Sequence, residues 1–248
     1  MDQAGHQRAR SSRIGPERCI TTKEIKLGQS ITLTASDGKT IGAWRVDPPG
    51  PSRGGLIVCQ EIFGVNSHIR SVCEGYAQAG YTVIAPAFFD RAEPGVELGY
   101  TADDIARGRA LMGQVSIDTA LLDVESARAL LAPVGRVGIV GYCWGGTVAW
   151  AAATRIDGLA CSAPFYGGGI AGLSGERPRC AVEMHFGETD HAIPMSDVER
   201  IKAAQPGVPV HVYPAGHGFS CDQRGSYHEA SARLGRERVL ALLAQHVG

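Results

Sequence analysis

Hydrophobic positions recur along the chain with two periods, and the switches between them mark out strands and helices. Apolar and polar residues alternate over 31–35 and 41–46, on either side of Ser36-Asp37-Gly38-Lys39, which predicts an antiparallel hairpin turning at Asp-Gly. A turn-rich link over 48–55 leads into an apolar run over 56–60, the pattern of a strand buried on both faces. Asn66 is a fitting N-cap for a helix whose Ile69, Val72, Cys73, Tyr76 and Ala77 share one face and which Gly80 stops. Residues 81–85 form the next strand, closed by Pro86. Strand, helix and strand at this length make a right-handed crossover unit, so a parallel sheet is expected.

Further along, residues 87–114 are less regular, with a helix expected over 102–112. Ser116 caps a clearer helix with Ile117, Ala120, Leu121, Val124 and Leu131 on one face. Residues 137–142 read as a strand that gives way to an alanine-rich helix. Strands are expected over 159–163, 180–186 and 208–213, the last at a sheet edge because Pro209 lacks a backbone donor. Helices over 195–204 and 229–246 pack outside. No repeat interrupts this alternation, which predicts a doubly wound, mostly parallel α/β sheet with helices on both faces and an N-terminal antiparallel hairpin. A chain of 248 residues suits one such domain over 21–248. Residues 1–20 carry four arginines and almost no large apolar side chains, so a mobile tail is expected there.

Composition narrows the function by exclusion. A net charge of −1 with both signs interspersed makes no electrostatic case for nucleic acid or an anionic membrane. No apolar run is long enough to span a bilayer and the first residues lack a secretory hydrophobic block, so the cytoplasm is the expected compartment. The 7 cysteines are odd in number and scattered without a Cys-x-x-Cys pair, which argues against a disulfide framework or a structural zinc site. Cys59, Cys73, Cys161 and Cys180 lie in apolar contexts and read as core filler.

Cys143 is different. Gly141-Tyr142-Cys143-Trp144-Gly145 is a Gly-x-Cys-x-Gly box between a strand and a helix, the α/β-hydrolase nucleophile elbow with sulfur in place of oxygen. The elbow forces its central residue into strained backbone geometry, and side chains two positions away would strike the neighbouring strand and helix. A thiol there faces a helix N-terminus, whose N–H groups and dipole favour a thiolate and later an oxyanion. The competing reading is a tight turn around a small buried hydrophobe.

Two further loops weigh against that reading. Gly187-Glu188-Thr189-Asp190-His191 and Pro214-Ala215-Gly216-His217-Gly218-Phe219 each follow an expected strand, on the side of an open sheet where ligands bind. Cys143, Asp190 and His217 then stand in the chain order nucleophile, acid, histidine. In such a triad His217 is base and acid for the sulfur, and Asp190 fixes its tautomer. The oxyanion donors would be the N–H of Trp144 and an N–H from the loop after residues 56–60, best that of Ile62; one such donor stabilises the transition state by about 3 kcal/mol. Glu61 ends a buried strand level with the elbow, where it is either a carboxylate hydrogen-bonded to loop donors or a group that governs the protonation of Cys143.

Together, Gln60-Glu61-Ile62-Phe63-Gly64-Val65-Asn66, the cysteine elbow, Gly187-Glu188-Thr189-Asp190 and Ala215-Gly216-His217-Gly218-Phe219 resemble the dienelactone hydrolase (carboxymethylenebutenolidase) family, from about residue 31 to the C-terminus. The resemblance implies a monomeric hydrolase without cofactor or metal, a Cys143, His217, Asp190 triad, and a Glu61 that holds the resting thiol and accepts its proton once substrate arrives. It further implies a small-molecule partner: an unsaturated five-membered lactone bearing a carboxylate, opened through a thioester to maleylacetate in the breakdown of chlorinated catechols. In that family an arginine four residues past the catalytic histidine grips the carboxylate; here Cys221 stands in that place and Arg224 follows three further on. Arg91, Arg107 and Arg109, from the segment before the elbow, are candidates for a second grip, with Phe63 and Tyr142 as neighbours of substrate; the competing reading of each arginine is a surface salt bridge. A short-chain esterase with the same triad, and a non-catalytic fold whose Cys143 senses oxidants, are the alternatives. A nucleotide site is excluded, since Gly138, Gly141 and Gly145 do not match Gly-x-Gly-x-x-Gly.

Overall fold

The alternating segments around Asp37-Gly38 do pair. In the computed structural model, which describes Met1, Asp2 and residues 28–248, β1 (Gln29–Thr34) and β2 (Thr40–Val46) form an antiparallel hairpin with Leu33 opposite Ile41. Beyond its first two residues, the tail expected over 1–20 lies outside the described residues. Gly38 takes φ 82° at the turn, a conformation that a Cβ disfavours.

β2 joins β4 (Thr82–Pro86) antiparallel, and from there the sheet is parallel. β3 (Gly55–Cys59), β5 (Val137–Tyr142), β6 (Leu159–Phe165), β8 (Met184–Gly187) and β9 (Val210–Tyr213) complete the order β1-β2-β4-β3-β5-β6-β8-β9, with the two-residue β7 (Ala181–Val182) beside β6. Every residue of β3, β4 and β5 is buried, as uninterrupted apolar runs require. The period of two sorts these strands between two cores. Leu56, Val58, Val83, Ala85 and Val140 face one side with Ile69, Cys73 and Tyr76 of α1 (Ser67–Gln78) and Val239 and Leu242 of α6 (Glu229–His246). Ile57, Cys59, Ile84 and Ile139 face the other, under Ala120 and Val124 of α3 (Ile117–Leu131) and Val148 and Ala152 of α4 (Trp144–Arg155). The helices α2 (Ala102–Met112) and α5 (Met195–Ala204) also fall where the pattern places them. Among the described residues no helix is long and apolar enough to cross a membrane.

Two expectations change. The strand expected over 180–186 is broken at Glu183: β7 pairs with β6 alone, whereas β8 lies between β6 and β9, so the ladder is interrupted where periodicity reads straight on. Arg91 is the other. A 3₁₀ turn over Phe88–Arg91 carries its guanidinium under α3, where Nε and Nη2 donate to both oxygens of Asp123 at 2.7 and 2.8 Å, and Nη1 donates to Asp37 at 2.7 Å. Asp123 is fully buried, and burial raises its pKa although Arg91 draws it down. Arg91 is thus placed as a structural cation that ties the hairpin to α3, its guanidinium taken up by two carboxylates and outside the cavity that Cys143 lines. Arg91→Ala leaves a buried carboxylate without its partner and is expected to cost about 3–5 kcal/mol, read from the urea unfolding midpoint.

Candidate active site

The elbow is a problem of backbone crowding. A Cβ on Gly141 would lie 1.9 Å from the Gly145 carbonyl oxygen, and one on Gly145 would lie 2.3 Å from that of Gln60. Only glycine lets the end of β5, the start of α4 and the end of β3 approach so closely. Between them Cys143 adopts φ 55° and ψ −120°; Tyr166 is the other non-glycine residue at positive φ among the described residues. The Cys143 N–H donates to the Phe165 carbonyl at 3.1 Å. Trp144 opens α4, at a position where a helix offers its N–H no partner.

Asp190 and His217 arrive on the loops after β8 and β9, and backbone bonds lash these loops together: Glu188 N–H to Tyr213 O at 2.8 Å and Thr189 N–H to Ala215 O at 3.0 Å. The buried Asp190 uses Oδ1 to accept from the N–H groups of Ala192 (2.8 Å) and Ile193 (3.2 Å), which aims Oδ2 at His217. His217 donates from Nδ1 to that oxygen at 2.7 Å and turns Nε2 to the Cys143 sulfur at 3.2 Å. Burial opposes a charge on the imidazole, but the bonds to Asp190 and Cys143 outweigh it and hold the His217 pKa up to about 10. The shift favours the imidazolium, the form of the ring that can pair with a thiolate.

Glu61 is buried at the end of β3, but the sulfur is not on it. Its Oε1 accepts from Arg224 Nη1 at 3.1 Å, so the expected contact with the thiol is replaced by an ion pair. Gly218, with φ 76°, leaves the room that Arg224 needs, since a Cβ there would lie 2.3 Å from Nη1. Cys221 is buried, and burial together with the Glu61 carboxylate pushes its thiol up to about 11.

Cys143, Trp144, His217, Ile62, Phe63, Arg109 and Arg224 line one cavity of about 500 Å³. Arg107 does not: it is exposed and pairs with Glu93. Tyr142 does not either. One position before Cys143 on β5, it points to the other face of the sheet, where its hydroxyl meets that of Tyr76 at 3.3 Å and its ring borders a separate cavity. Sequence reasoning missed Ile105, Met112, Ile117, Thr147 and Ala192 on the cavity wall. A signal existed: Ile105, Arg109 and Met112 fall at i, i+4 and i+7, one face of α2 that turns to the cavity. Gly108 lets that helix touch the Ile62 loop, because a Cβ there would lie 2.2 Å from the Ile62 carbonyl oxygen.

A boxed elbow after the central β5, with acid and histidine on loops after later strands of a mostly parallel sheet, is the architecture of an α/β-hydrolase. The model of the dienelactone hydrolase family matches residues 41–247. A provisionally assigned carboxymethylenebutenolidase of Synechocystis is 39% identical over 207 residues, covering 75% of this chain and 84% of its own. Carboxymethylenebutenolidase 1 of Cupriavidus pinatubonensis is 30% identical over 88% of this chain and 97% of its own. A crystal structure provisionally assigned as a dienelactone hydrolase from Klebsiella pneumoniae superposes with a TM-score of 0.77 at 29% identity, covering 89% of this chain and 100% of that one. The chain belongs to the dienelactone hydrolase family and is a hydrolase.

The raised His217 pKa has a sign that can be measured. A histidine that binds its proton more tightly folded than unfolded stabilises the fold fully below the unfolded value near 6.5 and loses that contribution as pH climbs toward about 10. The stability difference between wild type and His217→Gln is therefore expected to be largest at pH 6 and to shrink steadily by pH 10 in urea titrations.

Proposed function

We propose that this hydrolase opens a lactone or an activated ester by attack of the Cys143 sulfur, through a thioester, with dienelactone or a close relative as substrate. The observation that carries this reading is the run from Asp190 Oδ2 to His217 Nδ1 (2.7 Å) and from His217 Nε2 to Cys143 Sγ (3.2 Å) at the wall of a cavity. The thiolate adds to the carbonyl carbon, and the oxyanion settles against the N–H groups of Trp144 and Ile62. As the ring C–O bond breaks, the enol oxygen takes the proton from His217 Nε2. Water, deprotonated at the same nitrogen, then adds to the thioester carbonyl and expels the sulfur, so one water is consumed per bond opened. Thiolate suits an enolate leaving group; a poorer alkoxide would compete badly with sulfur for expulsion. Glu61, within the same low-dielectric site, regulates the protonation of Cys143, and its bond to Arg224 supports a state in which the sulfur is already given over to His217.

Substrate class turns on Arg109. Among the described residues it has no ion-pair partner, and it lines the cavity with Arg224, whose charge is largely answered by Glu61. A carboxylate docked beside both would fit the anionic lactone. The otherwise apolar wall of Ile62, Phe63, Ile105, Met112 and Ile117 favours the second reading, a short-chain esterase for neutral substrates.

Cys143→Ala is expected to retain its fold by circular dichroism and to lose at least about 10³-fold in kcat on both p-nitrophenyl acetate and a dienelactone; wild-type rates would refute sulfur attack. Arg109→Ala is expected to raise KM for the carboxylate-bearing lactone about tenfold or more while leaving the neutral ester within a factor of two. Equal effects on both substrates would favour the esterase.

A further inference from the structure

Three buried side chains of different chemistry meet beside the candidate triad. Glu61 from the loop after β3, His68 from the first turn of α1 and Cys221 from the loop after β9 each bring a donor atom within 4.8 Å of the other two. They are 1%, 3% and 0% exposed. Groups so close and so sealed from water normally satisfy one another by hydrogen bonds. These do not: among the described residues Glu61 Oε2 and His68 Nε2 are both buried without a partner, and the Cys221 sulfur lies 3.2 Å from the hydroxyl of Tyr100. Two orphaned polar atoms in one pocket, with a thiol beside them, are short of a cation.

The surroundings fit that need. His68 Nδ1 lies 3.1 Å from Asp222 Oδ1, and a carboxylate behind an imidazole is what orients a metal-ligating histidine and raises its basicity. His68 and Asp222 also line a second cavity of about 380 Å³, which offers an ion a way in that does not cross the substrate cavity. Zinc bonds of about 2.0–2.3 Å separate tetrahedral donors by roughly 3.5 Å, so the three need to close by roughly 1 Å. Thiolate, imidazole and carboxylate together select Zn²⁺ over the hard ions Mg²⁺ and Ca²⁺.

We propose that Glu61, His68 and Cys221 form a binding site for a divalent cation of the Zn²⁺ class, with Asp222 as the group that positions His68. The ion displaces the Cys221 thiol proton and takes Glu61 through Oε2, leaving Oε1 to Arg224. Glu61 so ligated no longer regulates the protonation of Cys143; resting on the role proposed for Glu61 above, the loaded enzyme hydrolyses slowly.

Co²⁺ titrated into the full chain reports on the site, because thiolate ligation gives a near-ultraviolet charge-transfer band that Zn²⁺ abolishes on displacing it. One equivalent of Co²⁺ is expected to give this band in wild type and equally in Cys143→Ala. Cys221→Ser removes the band, and the exposed-site variant Asp222→Ala, which leaves the core untouched, weakens Zn²⁺ about 10–100-fold. Zn²⁺ is expected to slow wild type but not Cys221→Ser. A wild type without the band, a band lost in Cys143→Ala but kept in Cys221→Ser, unchanged affinity in Asp222→Ala, or equal inhibition of wild type and Cys221→Ser overturns the proposal. Should Cys221→Ser fail to fold, Asp222→Ala decides. The hydrolytic reading is judged separately, by turnover of metal-free Cys143→Ala.

Discussion

The structure depends on how closely three pieces of backbone approach at one point. Gly141, Gly145 and the Gln60 carbonyl are packed so tightly that no side chain fits between them. Cys143 is left to absorb the resulting curvature in a conformation that an ordinary residue avoids. The strain is sustained because β3, β5 and β6 are buried on both faces and cannot yield without opening two cores at once. The same crowding lifts the sulfur off the sheet, toward the loops after β8 and β9.

Around that point the protein answers buried negative charge in three ways. Asp123 is met by the two-pronged grip of Arg91, outside the lining of the cavity. Asp190 is met by two backbone N–H groups and the His217 ring, which spends its charge on holding a tautomer and raising a pKa. Among the described residues Glu61 is met by Arg224 on one oxygen only. A carboxylate satisfied on one side is the least settled of the three, and in a medium of low dielectric it is the one most ready to change partner.

The cavity beside the sulfur has few cations and a largely apolar wall, so a ligand placed there would be held by shape and desolvation, with charge as a directing term. Arg224 illustrates how charge is directed. Its side chain passes over the bare backbone of Gly218 to reach the Glu61 carboxylate, with its guanidinium 5.5 Å from the Phe63 ring.

The alternation of strands and helices was legible along the chain, because long apolar runs and capped amphipathic segments favour a layered sheet, and so were the order of Cys143, Asp190 and His217 and their places after strands. Glycines in the box were legible because each removes a Cβ that backbone alone would strike. Only the tertiary structure decided what each arginine does: Arg91 and Arg107 stand in polar contexts like those of Arg109 and Arg224, and the difference lies in Asp123, Glu93 and Glu61, partners far away in sequence. It also decided that Tyr142 faces away, that the strand over 180–186 breaks at Glu183, and that His68 and Cys221 meet Glu61. Local periodicity records how a segment is buried; which long side chain reaches which distant charge is set by loops whose paths no local pattern encodes.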